Sequence, residues 1–166
     1  MLFRSLADVL RSFEANVRPQ LHASDSTLAI PAVDHTLGVV GDRDELAGAL
    51  CNLVMNALEA TEKPVALDVW VGALSEEWLQ LRVRDNGPGI PEDIIDRVFD
   101  PFFTTRAQGT GLGLAVVAMT VSKHGGEICV RNRDSGGAEF LITLPIARQV
   151  VTATAAELTK VGRMGQ

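Results

Sequence analysis

An α/β fold of the α+β type is predicted, a two-layer sandwich in which about three helices cover one face of a mixed, largely antiparallel sheet of about five strands. Two pairs of runs that alternate apolar and polar residues read as antiparallel hairpins: Val65 to Val71 with Trp78 to Val83, and Glu127 to Arg131 with Ala138 to Leu144. Apolar stripes at helical spacing supply the second layer. Parallel β-α-β alternation is not the dominant pattern, which disfavours a doubly wound nucleotide-binding sheet.

The elements follow in order. Phe3 to Val17 puts Leu6, Val9, Leu10, Phe13 and Val17 on one stripe, and this helix is expected to end before Pro19. Leu28 to Val33 and Leu37 to Val40 look like two short strands linked by Asp34 and His35. Asp42 or Asp44 then caps a second helix running to about Ala60, with Leu46, Ala49, Leu50, Leu53, Val54, Ala57 and Leu58 on its buried side. The segment LSEE turns the first hairpin and DSGG the second. A third helix, Leu114 to Lys123, follows a glycine cluster. The folded domain is expected over residues 1–146, and residues 147–166 form a tail or linker with no assigned function.

Composition narrows the function classes. The chain has 166 residues, 46% apolar and 22% charged, as expected for one soluble globular domain with a sizeable core. Its net charge of −6, without a block of Lys or Arg, argues against nucleic acid and against direct contact with an anionic membrane. Cys51 and Cys129 lie in apolar surroundings without metal-ligand spacing, which fits a reducing compartment. No apolar run reaches the roughly 18 residues of a membrane span, and the N-terminus lacks a signal-peptide pattern, so a soluble, cytoplasmic chain is expected.

The segment from Arg84 to Val116 carries the chemistry. Asp85 stands at a strand end, where Asn86, Gly87, Pro88 and Gly89 turn the backbone sharply. Gly109, Thr110, Gly111, Leu112 and Gly113 open the third helix, so free N–H groups and the positive end of a helix dipole meet at one point, as a triphosphate requires. On the second helix, Asn52 and Asn56 are one turn apart and Glu59 follows on the same face. Amide and carboxylate oxygens suit Mg²⁺, a hard cation that shares substrate phosphates.

In that order and spacing, NLVMNALEA, DNGPGI, FDPFFTTR and GTGLGLAV resemble the N box, first glycine box, F box and second glycine box of the catalytic ATP-binding domain of sensor histidine kinases. These belong to the superfamily of gyrase, heat-shock chaperone, histidine kinase and mismatch-repair ATPases, with a Bergerat-type fold. The resemblance covers about Leu2 to Ile146, and NALEA with FDPFFTTR is most like the nitrogen-regulation and dicarboxylate-sensing branch. It implies a protein-histidine kinase catalytic fragment with ATP and Mg²⁺ as cofactors. Asp85 would accept from the adenine amine, Gly87 and Gly89 would let the backbone approach the base, Asn56 would ligate Mg²⁺ and Asn52 would assist it. The second glycine box would receive the phosphates, and Ala60, Ile90, Phe99, Thr105, Leu114 and Thr143 join the implied nucleotide contacts. Pro91 to Gln108 would be the ATP lid, with Arg106 as its cation; of Phe99, Phe102 and Phe103, at least one is expected in the core and the others against the phosphoacceptor hairpin.

Two departures from the family patterns bear on mechanism. Hydrolytic branches place a Glu one turn before the metal-binding Asn as general base, and here that position is Asn52. Rapid hydrolysis is therefore disfavoured. Glu59 stands where many histidine kinases have a basic residue, so either it orients a water at the metal or Arg106 compensates. Glu45, two turns from Asn52 and about 10 Å away, is no substitute base. His22, His35 and His124 lack the context of a phosphoacceptor and are expected to be surface or loop histidines. The implied partners are the dimerisation and phosphoacceptor domain of the same kinase and, indirectly, a response regulator, whether or not the full kinase is membrane-anchored.

Overall fold

The computed structural model describes residues 2–149. Along the chain run β1 (Leu2–Ser5), α1 (Leu6–Ala23), β2 (Thr27–Ala29), β3 (Leu37–Gly41), α2 (Arg43–Glu59), β4 (Ala66–Ala73), β5 (Trp78–Asp85), a 3-10 turn (Ile95–Arg97), α3 (Gly113–Lys123), β6 (Glu127–Asn132), β7 (Ala138–Pro145) and β8 (Ala147–Arg148). The main sheet has the order β2-β4-β5-β7-β6, and a second sheet has the order β1-β3-β8. Among the described residues only the β2/β4 pairing is parallel. The two predicted hairpins, β4/β5 and β6/β7, are present, as are the three helices.

Strand alternation builds the core. Leu67, Val69, Leu79, Leu81, Val83, Phe140, Ile142 and Leu144 are buried and pack with Leu6, Phe13, Val17, Leu50, Leu53, Val54, Val117 and Val121 of the helices. α2 lies between α1 and α3. Its N-terminus is fixed by Asp42, whose Oδ1 accepts from the N–H groups of Asp44 and Glu45, both at 2.9 Å. Of the two candidate caps, Asp42 is the one.

Several boundaries differ from the expectation. Residues 2–5 are strand, not helix, because they pair antiparallel with β3 from Leu2 opposite Gly41 to Ser5 opposite Gly38. α1 continues past Pro19 to Ala23. The missing N–H and the carbonyl it would have met fall on an exposed side, at Pro19 and Ala15, while Leu21, two residues on, is buried and draws the helix forward. The runs after α1 are not joined as neighbours: β2 adds to the edge of the main sheet and β3 to the second sheet. β8 pairs with β3, carrying ordered structure two residues past Ile146. The rest of the predicted tail, residues 150–166, lies outside the described residues.

His124 is buried rather than a surface or loop residue. Its Nε2 accepts from the Asp42 N–H at 3.0 Å, and its Nδ1 lies 2.7 Å from the Thr120 carbonyl. The ring thus ties the end of α3 to the start of α2. A Cβ at Gly41 would come within 2.0 Å of it, which explains the glycine there.

Candidate nucleotide site

Asp85 ends β5 and is only 7% exposed. Its Oδ1 accepts from the N–H of Gly87 at 2.8 Å and of Ala138 at 3.3 Å. Its carbonyl accepts from Arg133 Nη1 at 2.8 Å, and a Cβ on Gly137 would strike that carbonyl at 1.9 Å. The carboxylate is therefore aimed by the neighbouring strand, and Oδ2 has no hydrogen-bond partner among the described residues. Asn86 is used structurally, its Oδ1 accepting from Ala66 N–H at 2.8 Å. Gly89 has φ +76°, where a side chain is strained, and Asn132 grips the next residue: Oδ1 accepts from Ile90 N–H at 2.8 Å and Nδ2 donates to Ile90 O at 2.7 Å.

The polar stripe of α2 faces the lid. Asn52 Nδ2 donates to the Gly113 carbonyl at 3.4 Å, so the N box touches the start of α3 directly. Arg106 reaches across from the lid, its Nη1 paired with Glu59 Oε2 and its Nη2 3.5 Å from Asn56 Oδ1. Glu45 is occupied elsewhere, bonded to Lys123 Nζ at 2.6 and 2.8 Å. No side chain caps α3, in contrast to α2. Its first-turn N–H groups have no intrahelical partners and offer an anion site.

A tight contact ties the lid to the second glycine box. Phe102 N–H donates to Gly111 O at 2.9 Å, and both residues have positive φ, +66° and +70°. A Cβ on Gly111 would meet the Phe102 backbone at 2.4 Å, so only glycine allows this approach. The three phenylalanines take three different roles. Phe99 packs edge-on against Phe140, with ring centroids 6.2 Å apart. Phe103 carries the Arg97 guanidinium 4.5 Å above its ring, and Phe102 is 76% exposed.

These parts enclose a cavity of about 820 Å³, within the size range of small-molecule sites. Asn52, Asn56, Glu59 and Ala60 line it from α2, Gly89 and Ile90 from the first glycine box, Thr105 and Arg106 from the lid, and Gly109, Thr110, Gly111, Gly113 and Leu114 from the second. Sequence reasoning missed Met55, Ile94, Val98 and Gln108, which also line it. Asp85 and Gly87, the opening residues of the first glycine box, are not in the lining, and Leu112 is exposed at the N-cap of α3. Two expected contacts are placed elsewhere. Phe99 belongs to the core edge, because Phe140 offers it an apolar partner. Thr143 pairs in register with Gln80 and Glu127, on the sheet face opposite to buried Ile142 and Leu144 and so turned from the helices and the site.

The donor set fits a magnesium ion that arrives with a polyphosphate. Asn56 Oδ1 is a hard oxygen facing the cavity, and Mg²⁺ needs only one or two protein oxygens when phosphates and waters complete its shell. Among the described residues no group of three His, Cys, Asp or Glu side chains could hold a metal unaided.

Fold and site together define a two-layer sandwich with a lidded cavity, an uncapped helix end and a strand-held carboxylate at the start of a glycine turn. The chain belongs to the histidine kinase-, DNA gyrase B- and HSP90-like ATPase family, whose sequence profile matches residues 41–148. Sensor histidine kinase ZraS of Escherichia coli (strain K12) is 36% identical over 130 residues, 78% of this chain and 28% of that protein. Signal transduction histidine-protein kinase AfsQ2 of Streptomyces coelicolor is 44% identical over 101 residues, 58% of this chain and 18% of that protein. The chain thus spans less than a third of the length of these curated relatives. Among solved structures, the nucleotide-free catalytic domain of histidine kinase ThkA superimposes with a TM-score of 0.75 at 30% identity, covering 87% of this chain and 98% of that one. Full-length ShkA in complex with AMPPNP gives 0.76 at 26% identity, covering 95% of this chain and 34% of that one. No helix among the described residues is long and apolar enough to cross a membrane.

Proposed function

We propose that this chain is the ATP-binding catalytic domain of a sensor histidine kinase, holding the γ-phosphate of ATP for transfer to a histidine on a separate dimerisation and phosphoacceptor domain. The observation that carries this reading is Asn52. One turn before Asn56, where an ATP-hydrolysing relative needs a carboxylate to activate water, the side chain is an amide directed at Gly113 O. An amide does not take up a proton at neutral pH, and the other two carboxylates of that helix face are held by Lys123 and Arg106.

The remaining roles follow from position. Asp85 Oδ2 would accept from the exocyclic amine of adenine, which guanine lacks at that place. N–H groups from Gly109 to Leu114 would receive the phosphates, and Asn56 with Asn52 would present oxygen to Mg²⁺, which when bound neutralises charge on the terminal phosphates. Arg106 is the only cation lining the cavity among the described residues and would serve the same end. Phe102, Leu112, Val116 and Met119 are exposed apolar residues of the lid and α3, a surface suited to the phosphoacceptor hairpin. ThkA has been solved in complex with the response regulator TrrA, and a regulator of that kind is the proposed downstream partner here.

The test is transfer. The purified chain, given γ-labelled ATP, Mg²⁺ and the phosphoacceptor hairpin of a related sensor kinase, should label the hairpin histidine while free phosphate stays at background. Steady ATP turnover without the hairpin, abolished by Asn52→Ala, would instead make the chain a conformational ATPase. Tight nucleotide binding with no transfer would make it a nucleotide-sensing module.

A further inference from the structure

One cation and one carboxylate line the cavity among the described residues, and they hold each other. Arg106 Nη1 donates to Glu59 Oε2 while Nη2 lies 3.5 Å from Asn56 Oδ1. Asn56 would present its amide oxygen to the Mg²⁺ that accompanies ATP and neutralises charge on the terminal phosphates, so a guanidinium beside that amide is placed to reach the terminal phosphate. Glu59 therefore offers Arg106 the same kind of partner that a γ-phosphate would: an oxyanion in reach of the same guanidinium.

We propose that Glu59 is a specificity-determining residue, an internal competitor that yields Arg106 only to a nucleotide with a third phosphate; this rests on the ATP-site reading above. In the empty cavity the pair is neutral. A γ-phosphate brings more charge than a carboxylate and accepts the two-pronged hydrogen bonding of a guanidinium, so it wins the exchange. ADP ends one phosphate short and leaves the pair closed. Once the γ-phosphoryl group has left, Glu59 recovers Arg106 and the lid keeps no ionic tie to the product. The side chains are 42% and 51% exposed, and exposed ion pairs are weak, so the exchange is easy and its effect modest.

Calorimetric titration with AMPPNP·Mg²⁺ and with ADP·Mg²⁺ tests this on the unmodified chain, Glu59→Gln, Arg106→Gln and the double variant. Glu59→Gln should tighten AMPPNP binding by about two- to fivefold, the span of an exposed ion pair, with a clearly smaller gain for ADP. In the Arg106→Gln background the same substitution should leave the AMPPNP-to-ADP ratio unchanged. Equal gains for both nucleotides, or weaker AMPPNP binding in Glu59→Gln, would overturn the competition while leaving the ATP site standing. An unmodified chain that binds neither nucleotide would overturn the ATP-site reading and this inference with it.

Discussion

Asn132 holds Ile90 by both of its backbone atoms, accepting from the N–H at 2.8 Å and donating to the carbonyl at 2.7 Å. A side chain from β6 thus mimics a strand partner for the residue that closes the first glycine box. Asn132→Ala should lower stability by about 1–3 kcal/mol, because two half-buried backbone groups lose their partners together. Urea titration gives the stability change, and an unchanged midpoint would mean that the turn holds itself.

Asp85→Asn separates the fold from the base contact. The variant keeps an Oδ1 acceptor for Gly87 and Ala138 but puts an NH₂ where adenine's amine would donate. ATP affinity should fall by about 1–3 kcal/mol with little change in melting temperature. Unchanged calorimetric affinity would remove the adenine assignment.

Asn56→Ala tests the metal. Nucleotide binding by this variant should become insensitive to Mg²⁺, while binding of metal-free nucleotide changes less. A titration with and without EDTA decides it, since a preserved Mg²⁺ effect would place the ligand elsewhere.

The cap of α2 predicts a pH dependence. Hydrogen bonding from the Glu45 N–H foremost, with that of Asp44, holds the Asp42 carboxyl below the usual carboxylate range. A depressed folded-state value means that its stabilising contribution is complete above the unfolded-state value, about pH 4, and disappears as pH falls through the lower folded value. Asp42→Asn can still cap the helix but cannot titrate there, so its melting temperature should fall less between pH 5 and pH 3, both taken as about the ends of that window. Parallel slopes for the two proteins would show that the cap charge does not matter.

How much of this was legible in the sequence depends on the range of each interaction. The hairpins, α2 and the order of the four boxes are local patterns, and they stand where expected. Pro19 misled because local propensity yielded to a buried Leu21 just beyond it in the helix. β1, β3 and β8 form a sheet from the two ends of the domain, a pairing that no short window contains. In the site, Asn52, Asn56, Arg106 and the glycines come from motifs, whereas Asn132, Arg133 and Ala138 act through contacts 42 to 53 residues away in the chain. The adjacent Gly136 and Gly137, both at positive φ, were the one sequence signal that this hairpin end approaches another backbone. Thr143 was misplaced for a simpler reason: strand alternation turns it away from its buried neighbours.

α2 begins with a carboxylate of its own, and α3 begins with none. The second helix is finished by the polypeptide, while on the proposed reading the third would be finished by a bound phosphate. A nucleotide seated there, bound only by the folded form, would stabilise the domain by RT ln(1 + [L]/Kd). On that reading the uncapped end of one helix makes the stability of the whole domain a function of nucleotide occupancy.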